Sequence, residues 1–263
     1  MEHSLQLLWI LSLPFIGQII SAILVVRALI RTNLDCKLLP KQIRFHPTML
    51  KSIFMVGLPI GLQSSLYPIA NMMIQANINS MGTDNIAAWA LCGKLDFLVW
   101  LLVDSLAAAI STFVAQNFGA NQYFRVRQGV RIGLGMTLGS VIDISVVLFF
   151  WSEPLGKLFI NAGDYDILPL TGQLMRSLSP LYFLYVFGEV LAGAIRGTGE
   201  TVKPMILTLL GTCASRILWI LFVVPKNRTM LIIIYSYPVS WLLTAICFIA
   251  FYSMFKKNKL QLS

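Results

Sequence analysis

Thirty-two consecutive residues without a formal charge lie between Lys51 and Asp84, and they read SIFMVGLPIGLQSSLYPIANMMIQANINSMGT. About 18 or more apolar residues are enough for one helix to cross the hydrocarbon core of a bilayer. Similar uncharged stretches of 24, 20 and 27 residues are enclosed by Glu2 and Arg27, by Asp104 and Arg125, and by Arg228 and Lys256. The sequence therefore predicts a helical protein that crosses the membrane several times.

The composition excludes a soluble globular protein. Hydrophobic residues make up 57% of the 263 residues and charged residues only 12%, whereas a typical soluble domain has about 25% charged residues. The net charge of +9 would indicate nucleic acid as a partner of a soluble protein. In a membrane protein, basic loops are typical of the cytoplasmic side, so we expect no nucleic-acid partner.

The charge pattern predicts an all-α protein with about seven transmembrane helices. The segments are Leu5–Val26, Ile53–Met81, Ile86–Phe118, Val130–Trp151, Gln173–Ile195, Pro204–Val224 and Met230–Phe255. Alternate connections carry 14 of the 20 basic residues. By the positive-inside rule, the N-terminus of this chain is outside and its C-terminus is cytoplasmic, as a multi-pass protein of the plasma (inner) membrane.

No sequence feature indicates an enzyme, a metal site or a cofactor. The four cysteines are scattered and the two histidines, His3 and His46, are far apart, so neither a disulfide framework nor a zinc site is expected. No P-loop is present to hold a nucleotide. No G-x-S-x-G or H-E-x-x-H motif supplies a nucleophile or a zinc base.

Glu189 is the leading candidate for a functional residue. An ionised group at bilayer depth costs roughly 2.5–3.5 kcal/mol on insertion scales, so such a group usually faces a cavity or a partner. Tyr182, Tyr185, Glu189 and Arg196 share one face of a helix. An apolar environment disfavours the charged carboxylate, so Glu189 and Tyr185 could form a site that exchanges a proton or a cation. The alternative is a structural glutamate paired with a basic residue such as Arg216.

A stripe of uncharged polar residues follows the second segment. Its members recur every four residues and are Gln63, Tyr67, Asn71 and Gln75. Pro59 and Pro68 on the same segment favour bending or local unwinding. Together with Tyr182, the stripe predicts a cavity for amphipathic cations, to which aromatic rings add cation–π contacts. The alternative is hydrogen bonding between helices.

Four further charged residues are predicted at membrane depth. They are Lys94, Asp96, Asp104 and Arg216. Lys94 and Asp96 are two residues apart and so point to nearly opposite sides of one helix. A structural charge network is favoured over contact with substrate for this group, and Asp143 in the fourth segment receives no role.

Four stretches of the chain resemble multidrug and toxic compound extrusion (MATE) transporters. They are Gly57–Gln63 (GLPIGLQ), Gln116–Ala120 (QNFGA) followed by Arg125 and Arg127, Ala192–Thr201 (AGAIRGTGET) followed by Pro204, and Tyr237–Trp241 (YPVSW). They occur in the order of the family and on the corresponding sides of the membrane. The resemblance covers nearly the whole chain but only part of the family's architecture.

The resemblance implies one lobe of a twelve-helix transporter built from two six-helix lobes. Residues 1–30 would be the helix before the lobe, 31–52 a cytoplasmic linker between lobes, 53–255 the six-helix C-terminal lobe and 256–263 a basic cytoplasmic tail. Glu189 would lie near the tenth-helix carboxylate of the family. Tyr67 stands where Na⁺-coupled members can have a glutamate, which puts a complete sodium site in doubt.

The function implied is efflux of cationic amphipathic compounds in exchange for Na⁺ or H⁺, with the coupling ion in place of any cofactor. The partners would be the lipid bilayer, small organic cations, and either an N-terminal lobe or a second copy of the chain. Two alternatives stay open. One is a truncated or split lobe that does not transport. The other is a lipid-linked sugar flippase of the same superfamily, for which a basic cavity would be expected.

Overall fold

The computed structural model describes residues 2–32, 37–40 and 44–259, with side chains from residue 15 onward except those of 162–164, 258 and 259. These parts are helical, without strands. The ten α-helices are α1 (Glu2–Arg31), α2 (Pro47–Asn79), α3 (Thr83–Gly119), α4 (Tyr123–Gly156), α5 (Leu168–Leu178), α6 (Tyr182–Gly197), α7 (Val202–Thr208), α8 (Ser215–Phe222), α9 (Met230–Ile234) and α10 (Ser236–Lys259). The all-α fold class is confirmed.

Six helical segments are long and apolar enough to cross a membrane. They are Pro47–Asn79, Thr83–Gly119, Tyr123–Phe159, Tyr165–Gly197, Val202–Lys226 and Met230–Lys257. They coincide with six of the seven segments predicted from the sequence. The seventh, Leu5–Val26, lies within α1, and the first half of its side chains falls outside the described residues.

The chain divides into two compact units, 1–52 and 53–263. In the first unit, α1 presents apolar side chains such as Phe15 and Ile23 outward. Residues 33–36 and 41–43 of the predicted linker, and 260–263 of the predicted basic tail, lie outside the described residues. The assignment of these segments as linker and tail stays a prediction.

Helix α6 forms the centre of the second unit and packs against α3, α4 and α10. Its side chains are mostly buried, and Val186 and Val190 pack in the same core as Val99 of α3 and Phe248 of α10. Large apolar side chains such as Phe150 of α4 point outward instead. Exposed apolar side chains on long helices suit contact with lipid, which is as apolar as they are.

Two glycines allow α6 to approach α3 closely. A Cβ atom added at Gly193 would lie 2.8 Å from the carbonyl oxygen of Ala107, and one added at Gly197 would lie 2.5 Å from that of Ser111. Both pairs are spaced by four residues, so small residues meet small residues on successive turns. This contact sets the register between α3 and α6.

Two helices predicted as continuous are interrupted. The segment predicted as Gln173–Ile195 divides into α5 and α6 at the 3₁₀ turn Ser179–Leu181, because Pro180 lacks the N–H group that a continuing helix would use. The segment predicted as Pro204–Val224 contains a π-helical stretch, Leu209–Ala214. There the hydroxyl oxygens of Thr212 and Thr244 are 2.9 Å apart, which joins this stretch to α10.

Local unwinding of α2 at its prolines is not observed. The helix is continuous from Pro47 to Asn79 through Pro59 and Pro68. Pro59 has no N–H group, so it cannot bond to the carbonyl of Met55 one turn earlier. The hydroxyl of the buried Thr201 donates to that carbonyl oxygen at 3.4 Å. The loop between α6 and α7 thus supplies the donor that the proline removes.

We predict that Thr201→Val lowers the free energy of unfolding by about 1 kcal/mol, because the Met55 carbonyl loses its donor while it remains partly buried. Thr201→Ser, which keeps the hydroxyl, serves as the matched control. The measurement is unfolding of the purified chain by a denaturing detergent in mixed micelles.

A double-mutant cycle tests the stated cause. In a Pro59→Ala background the helix supplies its own N–H donor to Met55, so Thr201→Val should cost less than in the wild-type background. An equal cost in both backgrounds would show that Thr201 stabilises the fold in some other way.

Candidate functional site

A cavity of about 380 Å³ lies among α2, α3, α8 and α10, with one residue each from α5 and α6. Its walls combine aromatic rings with two carboxyl groups and one guanidinium group. The lining residues are Tyr67, Asn71, Trp89, Gly93, Asp96, Trp100, Asp104, Leu178, Tyr185, Arg216, Tyr237 and Trp241. The cavity lies entirely within the second unit.

Helix α3 contributes a regular stripe to this cavity. Trp89, Gly93, Asp96, Trp100 and Asp104 follow one another at spacings of four, three, four and four residues. Residues three and four apart lie on the same face of a helix. The stripe therefore alternates aromatic rings and carboxyl groups along one wall.

Each of the two carboxyl groups is bonded to a tyrosine of α6. The hydroxyl of Tyr182 donates to Asp96, and both side chains are buried. The hydroxyl of Tyr185 donates to Oδ1 of Asp104 at 3.3 Å, in a more exposed position. Since Tyr182 and Tyr185 are one turn apart, the register between α3 and α6 decides which carboxyl each of them meets.

Trp100 lies at the centre of an aromatic cluster. Its ring centroid is 4.6 Å from that of Tyr185, at an interplanar angle of 89°. It also contacts the rings of Tyr182 and Trp241 at 5.9 and 5.7 Å. Edge-to-face pairs of this kind contribute about 0.5–1.5 kcal/mol each beyond the area they bury, so the cluster holds this wall of the cavity rigid.

Arg216 is the one guanidinium group of the cavity wall, and neutral groups hold it. Its Nε donates to the hydroxyl of Ser240 at 3.0 Å, and its Nη1 donates to Oδ1 of Asn71 at 2.7 Å. Its Cζ lies 4.3 Å from the ring centroid of Tyr237 and 5.2 Å from that of Tyr67. Among the described side chains no carboxylate pairs with it. The Arg216 side chain is 1% exposed, and its positive charge is thus stabilised by the dipoles of an amide and a hydroxyl group and by two ring faces.

Glu189 lies beside the cavity in a crevice of about 10 Å³, which is close to the volume that one water molecule needs. Its Oε2 is 3.6 Å from Nη2 of Arg196, and both side chains are about four-fifths buried. The basic partner is therefore Arg196 on the same helix, and Arg216 bonds elsewhere. Tyr67, Tyr185 and Trp241 line both the crevice and the larger cavity, so the two spaces share a wall.

The polar stripe of α2 reaches the cavity only in its middle. Tyr67 and Asn71 line the cavity. Gln63 is half-buried on the turn before, and Nε2 of Gln75 donates to Oδ1 of Asn79 on its own helix at 2.8 Å. Tyr182 is fully buried beneath the cavity wall.

The four residues of the predicted charge network do not all come together. Asp96, Asp104 and Arg216 line the cavity, but the described residues show no ion pair among them. Lys94 lies on another face of α3, where its Nζ donates to the carbonyl of Phe159 at 3.3 Å. Asp143 is exposed on α4.

Four aromatic residues of the cavity were not predicted as site residues. They are Trp89, Trp100, Tyr237 and Trp241. The signal for the first two was available, because their spacing of eleven residues is about three helical turns and the two aspartates fall on the same face. Tyr237 and Trp241 are four residues apart and lie inside the YPVSW stretch, which was used only for the family resemblance.

A protein-family model, MatE, matches residues 59–221 of the chain. The chain is 22% identical over 175 residues to a probable multidrug resistance protein, YoeA, of Bacillus subtilis, in an alignment that covers 66% of this chain and 37% of that protein. It is 24% identical over 167 residues to a probable multidrug resistance protein, NorM, of Thermotoga maritima, covering 64% of this chain and 36% of that protein.

The fold resembles that of a crystal structure of MATE in complex with MaL6. The TM-score is 0.85 at 16% sequence identity, and the match covers 94% of this chain and 56% of that one. The chain spans less than two thirds of the length of each of these three proteins. The comparison therefore concerns one part of a longer architecture, and at this identity the structural match shows the fold alone.

We predict that Tyr182→Phe lowers the free energy of unfolding by about 1–3 kcal/mol, because it leaves the buried carboxyl of Asp96 without its donor. Tyr185→Phe, one turn further along α6, is the matched control. Its cost should be nearer about 0.5 kcal/mol, since Asp104 can bond to water instead. Unfolding in mixed micelles measures both, and equal losses would contradict the difference in burial that the prediction rests on.

Proposed function

Because this chain belongs to the MatE family of membrane transporters, we propose that it forms the cation-binding lobe of a secondary active multidrug efflux transporter. The proposed substrates are cationic amphipathic compounds, and the proposed driving force is exchange for Na⁺ or H⁺. The relatives named as multidrug resistance proteins support drug efflux as the activity.

The observation that carries the proposal is the composition of the cavity. Two carboxyl groups, Asp96 and Asp104, alternate with Trp89 and Trp100 along one wall. A ring face attracts a cation within about 6 Å of its centroid, and the attraction is strongest for tryptophan. A lipophilic organic cation could therefore place its charge near Asp104, which is the more exposed of the two carboxyl groups, and its apolar body against the rings.

Glu189 is proposed as the group that responds to the coupling ion. It lies outside the larger cavity but shares a wall with it through Tyr67, Tyr185 and Trp241. Its ion pair with Arg196, at 3.6 Å, is longer than a charge-assisted hydrogen bond of about 2.8 Å. A proton or a sodium ion that reached Glu189 would compete with Arg196 and change the side chains of the shared wall.

The charge of the cavity supports an organic cation over the pyrophosphate of a lipid-linked sugar. The single guanidinium group, Arg216, already donates to Asn71 and Ser240, and two carboxyl groups face the same space. An anion as highly charged as a pyrophosphate would need several free cationic donors.

Alternating access requires a second lobe on the other side of the substrate. We propose that this lobe comes either from another six-helix unit or from a second copy of the chain. The proposed location is the plasma membrane, with the C-terminus of this chain in the cytoplasm. The measurements below distinguish this proposal from the alternative of a lobe that does not transport by itself.

The cavity is tested on the purified chain alone, in a neutral detergent. Tetraphenylphosphonium, a lipophilic organic cation, should quench the tryptophan fluorescence, because Trp89, Trp100 and Trp241 line the cavity. Asp104→Asn should weaken binding about tenfold or more, since it removes the negative charge nearest to the bound cation. Asp84→Asn, an exposed carboxylate in the first turn of the same helix, is the matched control. Equal weakening by both substitutions would contradict the proposed site.

Transport is tested by accumulation of a fluorescent cation in efflux-deficient cells, with membrane insertion confirmed. The chain is expressed alone and then together with the five helices that its family has before this region. Glu189→Gln should abolish the dependence of efflux on the ion gradient. Glu153→Gln, which removes the carboxylate of the separate ion pair with Arg176 at 2.8 Å, should leave that dependence intact.

The outcomes of the transport assay distinguish a self-assembling chain from a half-transporter. Efflux by the chain alone would indicate self-assembly, and efflux only with the added helices would indicate a half-transporter. Collapsing the proton gradient and the sodium gradient in turn identifies the coupling ion. Efflux that stays coupled in Glu189→Gln would refute the role of Glu189 but leave the cation-binding cavity standing.

A further inference from the structure

A second cavity of about 630 Å³ lies between α4 and α10, away from the acidic one. Helix α6 packs against both of these helices, and its residues Phe187 and Leu191 form the floor. The walls carry three basic side chains, Arg127 and Arg131 of α4 and Lys256 of α10. We call this space the basic groove. It does not depend on the proposed transport function.

The groove has a polar end and an apolar end. On α4, Arg127 precedes Leu134 by seven residues, which is about 10 Å along the helix. On α10, Ile249 precedes Lys256 by the same distance. Helix α4 begins at the end of the bundle where α10 finishes, so the basic side chains meet at one end and the apolar side chains meet further in. The charge pattern predicts that the polar end is cytoplasmic.

The three basic side chains lack acidic partners among the described residues. The ion pairs of that part of the chain join Arg176 to Glu153, Arg196 to Glu189 and Lys203 to Glu200, and no carboxylate lines the groove. Arg127 has a cation–π contact with the ring of Phe124, at 5.9 Å. Three like charges around one space repel one another, and a bound anion would relieve that repulsion.

Tyr252 lines the same space, and its hydroxyl group adds a neutral donor for a phosphate, whereas the hydroxyl of Ser253 already donates to the carbonyl of Ile249 at 2.7 Å. A free phosphate would satisfy the polar end but would gain nothing from Leu134, Phe187 and Ile249. A ligand with an anionic head and hydrocarbon chains fits both ends. Basic pockets between transmembrane helices on the cytoplasmic side bind the head groups of anionic lipids.

We propose that the basic groove is a binding site for one anionic phospholipid. Its phosphate lies among Arg127, Arg131 and Lys256, and its acyl chains run over Phe187 and Leu191 toward the middle of the membrane. The orientation agrees with a lipid of the leaflet on the side where these basic residues emerge.

The test uses the full chain, purified in a neutral detergent, with equal amounts of phosphatidylglycerol and phosphatidylcholine of identical acyl chains. Native mass spectrometry counts the bound lipids. Arg131→Gln/Lys256→Gln should lower phosphatidylglycerol binding about tenfold or more, because it removes two of the three charges that surround the phosphate. Arg131 is exposed, so Arg131→Gln alone gives a milder variant that keeps the fold.

Neighbouring residues supply a matched control. Arg125 and Lys257 lie on the same two helices at the same end and are exposed, outside the groove. Arg125→Gln/Lys257→Gln also removes two positive charges, but from outside the groove, and should keep the preference for phosphatidylglycerol. Equal losses in the two double variants would mean that overall surface charge attracts the lipid, and the proposal would fail.

Two further outcomes would also overturn the proposal. One is a wild-type chain that binds both lipids equally. The other is complete displacement of phosphatidylglycerol by an equal concentration of glycerol 3-phosphate, which would show that the polar end binds phosphate without the acyl chains. Retention of the lipid against glycerol 3-phosphate, together with selective loss in the groove variant, supports a phospholipid site.

Discussion

The close contact between α3 and α6 sets the geometry on which the cavity depends. Gly193 and Gly197 bring α6 against the backbone of Ala107 and Ser111, where a larger side chain would have to displace a carbonyl group. Eight and more residues away along α6, Tyr182 and Tyr185 then meet Asp96 and Asp104. A shift of one residue would turn the tyrosines by about 100°, and both carboxyl groups would lose their donors.

Most charged side chains in and near the cavity are bonded to neutral groups. Asp96 is bonded to a tyrosine, and Arg216 to an amide, a hydroxyl and two ring faces. A buried ion pair would bind each charge to its partner and leave little affinity for a ligand. Dipoles compensate a buried charge without cancelling it. Opposite charges therefore lie around one space without neutralising one another, which suits the cation site proposed for this cavity.

The sequence was sufficient for the membrane class and for six spans. Uncharged runs of 20 or more residues mark three of these spans, and long apolar segments with few charges mark the other three. The sequence also placed Glu189 and Arg196 on one helix face, and these two residues form an ion pair. The interruption at Pro180 was missed because hydropathy does not register a lost backbone donor. The local unwinding expected at the prolines of α2 was wrong, because the donor that compensates for Pro59, Thr201, is 146 residues away from Met55 along the chain. The neutral partners of Arg216 come from two helices that are distant in the sequence, α2 and α10, and charge counting alone favours a carboxylate.

Helix α6 separates two spaces of opposite chemistry. Tyr185 and Glu189 face the acidic, aromatic side, whereas Phe187 and Leu191 face the basic groove. The two pairs are offset by two residues, which places them on nearly opposite faces of the helix. Because α6 is packed on both sides, a rotation or a tilt that opened one space would change the width of the other. Occupation of the groove by a lipid would then favour those positions of α6 in which the groove stays open. The crevice lined by Tyr185 and Glu189 would thereby respond to the proposed lipid as well as to the proposed cation.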